Sequence, residues 1–391
     1  MAESDSDFSK ERSKINILYL HETAKISGAE NSLLNLVRNL DKDKFIPYFV
    51  LPEQGALGEE LKGQGISVEI IPFPKIRHGL GVVRTVRKLI GLIRGRHIRV
   101  LHSNSIRTHI YAAFAAKSLG IPCIWHQRNM LQKEIIDPDR LFSFLADKII
   151  CNSAAISRRF ISRGRLPEKV RVVFNGVDTN MFSPGIDGSA VRQELGIYPG
   201  EIVVGAASRF NLQKGHEVFF EAARIIVSQE NEVKDKIKFL VVGGAVFPED
   251  KHREEYLKDL IVKIGIEDKV IFSGYRRDMP GIYAAMDIFV LASDAEACGR
   301  VVLEAMASGK SVIGTDSGGT PEMLQDGVTG FLFKTNNAED LARKIVILAE
   351  NRILSGQMGE AGRKFAEDNF RIEFNARKIE KIYLELCRVQ G

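Results

Sequence analysis

The chain has 391 residues, which at about 150 residues per domain suggests two or three domains. Apolar residues make up 45% and charged residues 27%, and no stretch has the 18 or so apolar residues of a membrane span, as expected for a soluble globular protein. The four cysteines are far apart, which argues against a disulfide scaffold or a cysteine metal site and favours a reduced, cytoplasmic chain. The polar stretch 1–13 lacks the apolar segment of a signal peptide and is predicted to be a disordered tail.

Positive charge is concentrated in the first half of the chain. Residues 1–180 carry 28 Lys and Arg against 18 Asp and Glu, whereas the remaining residues carry 27 against 32. No acidic residue occurs between Glu69 and Glu134, a gap that contains twelve Lys and Arg. A field of this sign attracts anions, so nucleic acid, phosphates and an acidic membrane surface are all candidate partners.

In the first half, short β-branched runs alternate with longer amphipathic runs. Strands are predicted at 15–20, 45–51, 66–71, 98–102, 122–126, 148–152 and 170–174. Amphipathic segments such as 30–40 and 107–120 lie between most of them. This alternation predicts a parallel sheet covered by helices on both faces.

The same pattern starts again near residue 200. A second set of strands is predicted at 202–208, 237–244, 269–274, 287–293, 311–316 and 329–333. The stretch between the two sets is rich in Gly, Pro, Asp and Asn, as linkers are. We therefore predict an α/β protein with domains at 14–180 and 181–365 and a C-terminal helix at 366–391 that packs back on the first domain. Ligands of doubly wound sheets bind beyond the carboxyl ends of the strands, so the cleft between the domains is the expected site.

The stretch 296–309, EACGRVVLEAMASG, places two carboxylates eight residues apart on either side of a glycine. It follows a predicted strand, and apolar residues recur at helical spacing from Val302 to a stop at Gly309. The free N–H groups at the start of such a helix form a site for an anion. Glu296 on the loop and Glu304 in the helix would then accept hydrogen bonds from sugar hydroxyls. The alternative, that both carboxylates are simply solvated, stays open.

Cations follow the first strand of the second half. Arg209 and Lys214 lie beyond the end of strand 202–208, and Lys214 with Gly215 stands at a predicted helix start. Two cations in this place suit a diphosphate, although a solvated basic loop has the same residues.

Two further segments follow strand ends. Gly318 and Gly319 allow close backbone approach. Thr320 and Pro321 can serve as the N-cap and first residue of a helix, although the segment alone favours a tight turn. The segment 27–30, SGAE, begins another helix that faces the cleft. Neither first strand is followed by G-x-G-x-x-G, and the P-loop pattern is missing, which disfavours a dinucleotide site.

Together these residues resemble the family 4 retaining glycosyltransferases of the GT-B fold. The matching positions are the glutamate pair and its glycine (Glu296, Gly299, Glu304), the Arg and Lys-Gly (Arg209, Lys214, Gly215), the Gly-Gly and Pro-Glu (Gly318, Gly319, Pro321, Glu322) and the segment 175–178. The resemblance implies two doubly wound Rossmann-like domains that face a central cleft. The first would bind the acceptor and the second the nucleotide sugar.

The resemblance also implies a role for each matching residue. Glu304 would bind the ribose, Glu296 would hold sugar hydroxyls, and Arg209 and Lys214 would neutralise the leaving diphosphate. The remaining implied positions are Gly28 for close approach of the first domain, Tyr275 and Arg276 for the base, His126 near the donor sugar, and the backbone amides of Cys298, Gly299, Arg300 and Val301 for the sugar and phosphates. A buried histidine with satisfied hydrogen bonds is the alternative for His126. Two departures from the family pattern, Cys298 and Ser27, concern the shape of the sugar pocket.

In this family, transfer retains the anomeric configuration and needs neither a cofactor nor a protein-bound metal. The expected partners are a nucleotide-sugar donor and a glycan or lipid-linked acceptor. The resemblance thus implies a hexosyltransferase of cell-envelope or lipopolysaccharide synthesis.

The stretch 79–99 is predicted to be a basic amphipathic helix. It either packs on the core with a solvated basic face or lies on an anionic membrane, as helices of many GT-B enzymes with lipid-linked acceptors do. In the second case the protein is peripheral at the cytoplasmic face of the plasma membrane.

Other functions fit parts of the sequence. A nucleotide-sugar epimerase of similar fold would convert the donor without an acceptor, and a phosphorylase would need a pyridoxal-phosphate lysine that no motif identifies. A nucleic-acid-binding protein would use the basic first domain. The basic stretch of that domain, residues 79–133, has few interleaved aromatic residues, so no nucleic-acid partner is expected.

Overall fold

The computed structural model describes residues 14–75, 77–130, 137–161, 167–244 and 250–388. Within these ranges the chain forms two parallel sheets, each covered by helices on both faces. The predicted tail 1–13 lies outside the described residues.

The first sheet has the strand order 3-2-1-4-5-6-7. Its strands are β1 (Ile15–Leu20), β2 (Phe45–Leu51), β3 (Ser67–Ile70), β4 (Ile98–Ser103), β5 (Cys123–Gln127), β6 (Lys148–Cys151) and β7 (Val170–Val172). The helices of this half are α1 (Gly28–Arg38), α2 (Ala56–Gly63), α3 (Gly79–Gly95), α4 (Ile106–Leu119), α5 (Pro138–Phe142) and α6 (Ala154–Ile161). Every pairing is parallel, as the alternation of strand and helix predicts.

The second sheet has the order 10-9-8-11-12-13, which repeats the doubly wound arrangement of the first. Its strands are β8 (Ile202–Ala207), β9 (Ile237–Val242), β10 (Val270–Gly274), β11 (Ile288–Leu291), β12 (Ser311–Thr315) and β13 (Phe331–Phe333). The helices of this half are α7 (Ser189–Glu194), α8 (His216–Ser228), α9 (Lys251–Lys263), α10 (Met279–Ala285), α11 (Arg300–Ala307), α12 (Ala338–Glu350) and α13 (Arg352–Asn369). A last helix, α14 (Ile372–Arg388), follows.

Apolar side chains fill both faces of each sheet, which accounts for the continuous apolar runs of the strands. The segment with linker composition is part of this packing. Val177, Phe182, Val191 and Ile197 are buried with the second sheet, so the chain is already attached to the second domain there.

The last helix returns to the first domain. Ile379 and Tyr383 of α14 are buried in one cluster with residues of β1, α1 and β2. The chain crosses between the domains twice at one place, because the Val177 N–H donates to the carbonyl of Phe370 and the Ile372 N–H donates to the carbonyl of Val177. The path of the chain thus links the two domains side by side.

Two local predictions are wrong. The helix predicted at 79–99 ends at Gly95, because His97 has a positive φ of 49° and the chain enters β4 at Ile98. The segment after β12 forms the tight turn that its sequence favours, a single 3₁₀ turn at Thr320–Glu322, and the alternative N-cap at Thr320 is wrong because Gly319 holds the capping position.

Candidate active site

The helix predicted after Glu296 begins at Arg300, with Gly299 as its N-cap, and Gly309 ends it in a left-handed conformation. Its first N–H groups lie beyond the carboxyl end of β11, at the edge of the sheet that faces the first domain. The local sequence therefore builds the helix terminus that its spacing predicted, and anion binding there stays a prediction.

Two glycines hold the loop before α11 in place. A Cβ at Gly318 would lie 2.4 Å from the carbonyl oxygen of Glu296, and one at Gly319 would lie 2.0 Å from that of Ala297. The Gly319 N–H also donates to the Glu296 carbonyl at 2.7 Å. The close approach that these glycines allow is thus to the loop 296–299.

Lys214 and Glu296 come together from elements 82 residues apart in the chain. The Lys214 Nζ lies 2.9 Å from Glu296 Oε2, and both side chains are about one-fifth exposed. The next residue, Gly215, has a φ of 67°, and a Cβ there would lie 2.0 Å from the carbonyl of Ala292. Arg209 lies half-buried in the same loop after β8.

Glu304 is only 2% exposed, which excludes the solvated alternative for it. Its carboxylate lies 2.5 Å from Arg300 Nη1 and accepts a hydrogen bond from the Tyr283 hydroxyl at 2.9 Å. Burial raises the pKa of Glu304, while Arg300 and Tyr283 oppose that rise. The carboxylate is thus held in one orientation at the base of the helix.

The other residues around α11 have mixed environments. The Cys298 thiol is buried, 3.7 Å from the Met323 sulfur, and burial raises its pKa to about 12, so it stays a neutral thiol at neutral pH. Val301 is half-buried in the first turn of the helix.

The two residues assigned to the base differ in their surroundings. Tyr275 is 60% exposed beyond β10. The Arg276 side chain binds the carboxylates of Glu194 and Asp278, which raise its pKa. Its guanidinium is therefore engaged in ion pairs within the second domain.

On the first domain, α1 begins at Gly28 with a capping box between Ser27 and Glu30. The Glu30 carboxylate also lies 2.6 Å from His21 Nε2. Burial opposes ionisation, but the hydrogen bonds from His21 and Ser27 prevail and lower the pKa of Glu30 to about 2. No atom lies within 4 Å of a Cβ built on Gly28, so space remains in front of the helix terminus.

His126 lies at the carboxyl end of β5 and is 2% exposed. Its Nδ1 lies 3.1 Å from His102 Nε2 and 3.3 Å from Arg128 Nη2, whereas its Nε2 has no partner in the described part of the chain. Burial, and then the charge of Arg128, hold the pKa of His126 well below its usual range, so the ring is neutral. The alternative of a fully satisfied histidine does not fit this arrangement.

Two contacts bring the strand ends of the two domains together. The Asn175 side-chain amide donates to the Cys298 carbonyl at 3.0 Å. The Glu322 carboxylate accepts the N–H groups of Ala154 and Ala155, at 2.6 and 2.7 Å, in the first turn of α6. The residues of both domains thus border one cleft.

Sequence analysis missed several residues of this cleft. Arg128 and Asn175 were not singled out as site residues. Two tyrosines buried in the domain interiors, Tyr283 beside Glu304 and Tyr383 beside His102, carry no local motif. For Arg128 a signal existed, because it directly follows a strand of a doubly wound sheet.

Among the described residues, no group of three or more His, Cys, Asp or Glu side chains is placed to hold a metal ion. The helices in the described ranges include none with the length and apolar character needed to span a bilayer.

Two doubly wound domains with their strand ends at a common cleft are the GT-B architecture. The family model described as Glycosyltransferase Family 4 matches residues 26–181, and the one described as Glycosyl transferases group 1 matches residues 188–365. The chain therefore belongs to the group 1 glycosyltransferases of family 4 and is an enzyme of that class.

Relatives and solved structures are similar over nearly the whole chain. The Escherichia coli UDP-Gal:alpha-D-GlcNAc-diphosphoundecaprenol alpha-1,3-galactosyltransferase is 24% identical over 96% of this chain and 98% of its own. The lipopolysaccharide core biosynthesis mannosyltransferase LpsB of Rhizobium meliloti is 28% identical over 82% of this chain and 99% of its own. The Anabaena protein HepE, crystallised with UDP-glucose, has a TM-score of 0.83 and 26% identity over 95% of this chain and all of its own.

Proposed function

We propose that this glycosyltransferase moves a sugar from a nucleotide-diphosphate donor to a glycan or lipid-linked acceptor in cell-envelope synthesis. The contact between Lys214 and Glu296 carries this proposal, because it joins a cation for the diphosphate to a carboxylate for sugar hydroxyls at the start of α11. The UDP-glucose complex of HepE supports a uridine nucleotide as the first donor to test. The names of the two relatives support a lipid-linked or lipopolysaccharide acceptor.

The diphosphate, the transferred sugar and the ribose of the donor would each meet residues suited to bind them. An arriving diphosphate would compete with Glu296 for Lys214, and the released carboxylate would turn to the hydroxyls of the sugar. Arg209 would add a second cation, and the first N–H groups of α11 would complete the phosphate site. Glu304, held by Arg300, would accept hydrogen bonds from the ribose.

The barrier in this reaction is departure of the nucleoside diphosphate from an oxocarbenium-like carbon. Fixed cations and helix N–H groups in a closed cleft stabilise the charge that develops on the phosphate oxygens. The acceptor oxygen bonds to the anomeric carbon on the face that the diphosphate leaves, and the leaving phosphate takes the proton of the acceptor hydroxyl, so the configuration is retained. The proposed step uses no protein-bound metal. The Nδ1 of the neutral His126 already accepts from Arg128, so its Nε2–H would donate a hydrogen bond to the bound nucleotide sugar.

Calorimetric titration with UDP, GDP and ADP in EDTA tests the donor site. We expect one nucleotide to bind the wild type and Glu304→Ala to weaken it at least about 10-fold, because a buried charged hydrogen-bond acceptor is lost. Glu339→Ala, in the exposed first turn of α12, is the control and should bind like the wild type. Absence of binding for all three nucleotides would overturn the proposal.

Product analysis tests the chemistry separately. An α-linked donor should give an α-linked product in EDTA, as judged by the anomeric coupling constant in proton NMR. Activity that disappears in EDTA and returns with Mg²⁺ would contradict metal-free transfer. Conversion of the donor sugar without any acceptor would favour an epimerase instead.

A membrane contact through α3 is the part of the proposal that concerns the acceptor. Leu89 and Ile93 face the core, whereas Leu80 is 88% exposed and Val83 is 48% exposed. They form one exposed surface with Arg84, Arg87 and Lys88. Apolar side chains ringed by cations suit the anionic face of a bilayer, where each Lys or Arg adds about 1 kcal/mol. The enzyme would then act as a peripheral protein at the cytoplasmic face of the plasma membrane.

Co-sedimentation with vesicles of anionic and of neutral phospholipid tests this contact. The wild type should bind anionic vesicles at low salt, and replacement of the three α3 cations by Gln should abolish binding. The matched control replaces three exposed cations of α9, Lys251, Lys258 and Lys263, by Gln and should bind like the wild type. Equal binding by both variants would exclude α3 as the contact.

A further inference from the structure

Arg128 is a buried cation, and in the described part of the chain its side-chain hydrogen bonds all go to neutral groups. It directly follows β5 and is 8% exposed. Its guanidinium donates to Asn104 Oδ1 at 3.3 Å, Asn175 Oδ1 at 3.2 Å and His126 Nδ1 at 3.3 Å. Within the described ranges of the chain, no carboxylate forms an ion pair with it.

The charge of Glu30 does not take the place of an ion-pair partner for Arg128. The Glu30 charge acts on Arg128 from a distance, and its carboxylate is already bound to His21 and Ser27. Burial lowers the pKa of Arg128 to about 10, so the side chain is still a cation at neutral pH. A buried charge without a counter-charge is destabilising. A negatively charged ligand in the cleft would supply the counter-charge that Arg128 lacks.

A second buried donor adjoins it. Arg128 carries only N–H groups, so the shared Nδ1 of His126 must be the acceptor, and the ring proton lies on Nε2. That Nε2–H is buried and has no partner in the described residues. Two neighbouring side chains therefore offer unused N–H groups, since three of the five on Arg128 are engaged.

The position of Arg128 relates these groups to the donor site. Asn175 accepts from Arg128 and donates to the carbonyl of Cys298, directly before the N-cap of α11. At the other end of the same loop, Lys214 binds Glu296. The loop 296–299 thus has a cation from each domain beside it.

We propose that Arg128 and the Nε2–H of His126 bind a phosphoryl group in the cleft, either that of the nucleoside diphosphate or that of a diphosphate-linked acceptor. This assignment rests on the proposed function and adds a phosphate contact from the first domain to the cations of the second. The planar guanidinium is suited to two oxygens of one phosphate.

Calorimetry on Arg128→Gln in EDTA tests the proposal with two probes. The first is UDP on the free protein, and the second is inorganic pyrophosphate added to the UDP-saturated protein. We expect one of the two affinities to fall at least about 10-fold, as loss of a charged hydrogen bond predicts. A loss with UDP assigns the site to the donor, whereas a loss only with added pyrophosphate assigns it to the acceptor. Arg38→Gln, an exposed arginine of the first domain, is the control.

Thermal unfolding without ligand separates binding from a structural role. Removal of the unpaired buried charge offsets the loss of three hydrogen bonds to neutral groups, so the Tm of Arg128→Gln should lie close to that of the wild type, and Arg128→Lys should restore part of the lost affinity. Unchanged affinities in both arms would overturn the proposal, as would a lowered Tm with no rescue by lysine. If the wild type binds no nucleotide, the proposed function fails by itself, and pyrophosphate titrated into the free protein still decides the role of Arg128.

Discussion

The contact of Glu322 with α6 allows a direct test of how the two domains are held together. Its carboxylate accepts two backbone N–H groups, those of Ala154 and Ala155, across the boundary between the domains. α6 belongs to the first domain and Glu322 to the second. Glu322→Ala should therefore favour an open arrangement, in which this contact is broken, over the closed arrangement, in which it is formed, and should leave both hydrophobic cores intact.

The size of the effect follows from the geometry. A hydrogen bond to a charged group contributes about 1.5–3 kcal/mol, and a carboxylate at a helix N-terminus adds about 0.3–1 kcal/mol. Because Glu322 is half-buried, solvent screening reduces each of its two hydrogen bonds to about 1 kcal/mol, and with the helix-terminus contribution the contact as a whole is worth about 2–3 kcal/mol. The ratio of closed to open molecules should fall about 30- to 150-fold in the variant.

Small-angle X-ray scattering measures this ratio directly. The radius of gyration of Glu322→Ala should rise without ligand and fall again with saturating nucleotide, and the apparent Kd should rise because part of the binding energy then closes the domains. Glu322→Gln keeps one carbonyl acceptor, so its radius of gyration and its Kd should lie between those of the wild type and Glu322→Ala. Glu339→Ala removes a first-turn glutamate that makes no contact between domains and serves as the control. An unchanged radius of gyration and an unchanged Kd in Glu322→Ala would refute the reasoning.

Three further predictions concern single groups. Lys214→Gln should lower kcat about 10²–10³-fold with an unchanged circular dichroism spectrum, and a loss below 3-fold would contradict a role in leaving-group departure. Tyr283→Phe should lower the free energy of unfolding in urea by about 1–3 kcal/mol, because buried Glu304 loses a donor; an unchanged midpoint would argue against that hydrogen bond. Glu30 has a pKa of about 2 in the folded protein against an ordinary value of 4.5, so the stability it contributes is complete above that ordinary value and is lost as pH falls toward 2. The difference in unfolding free energy between the wild type and Glu30→Gln should therefore shrink between about pH 5 and pH 3, and a constant difference would show that the pKa is not lowered.

The sheets and most helices were predictable because their sequence patterns are local. Continuous apolar runs marked the buried parallel strands, and the capping residues of α1 marked its start. The end of α3 could not be predicted, because its basic and apolar residues continue into β4 without a change of composition. Only the backbone turn at His97 separates the two elements.

The candidate donor-site residues of the second domain could be found from their place after strand ends. Lys214 and Glu296 each follow a strand of one parallel sheet, and the carboxyl ends of such strands share an edge. Their direct contact depends on the path of two loops, which no local pattern encodes.

Pairings between distant segments were not predictable. Glu322 meets α6 from a position 168 residues away, and Tyr383 meets His102 from 281 residues away. Such contacts follow from the arrangement of domains, which a single sequence does not specify residue by residue. A glutamate in a family motif was therefore assigned to no specific contact, although it bridges the two domains.

The return of α14 has a consequence for how the protein is made. Tyr383 completes the hydrophobic cluster of β1 and shares hydrogen bonds with Tyr19 and His102 in the interior of the first domain. The first domain is therefore discontinuous in sequence, and on the ribosome it stays without this cover until the entire second domain has been synthesised. A fragment that ends at residue 180 would expose apolar surface, whereas the same fragment joined by a short linker to residues 372–388 would contain a whole folding unit.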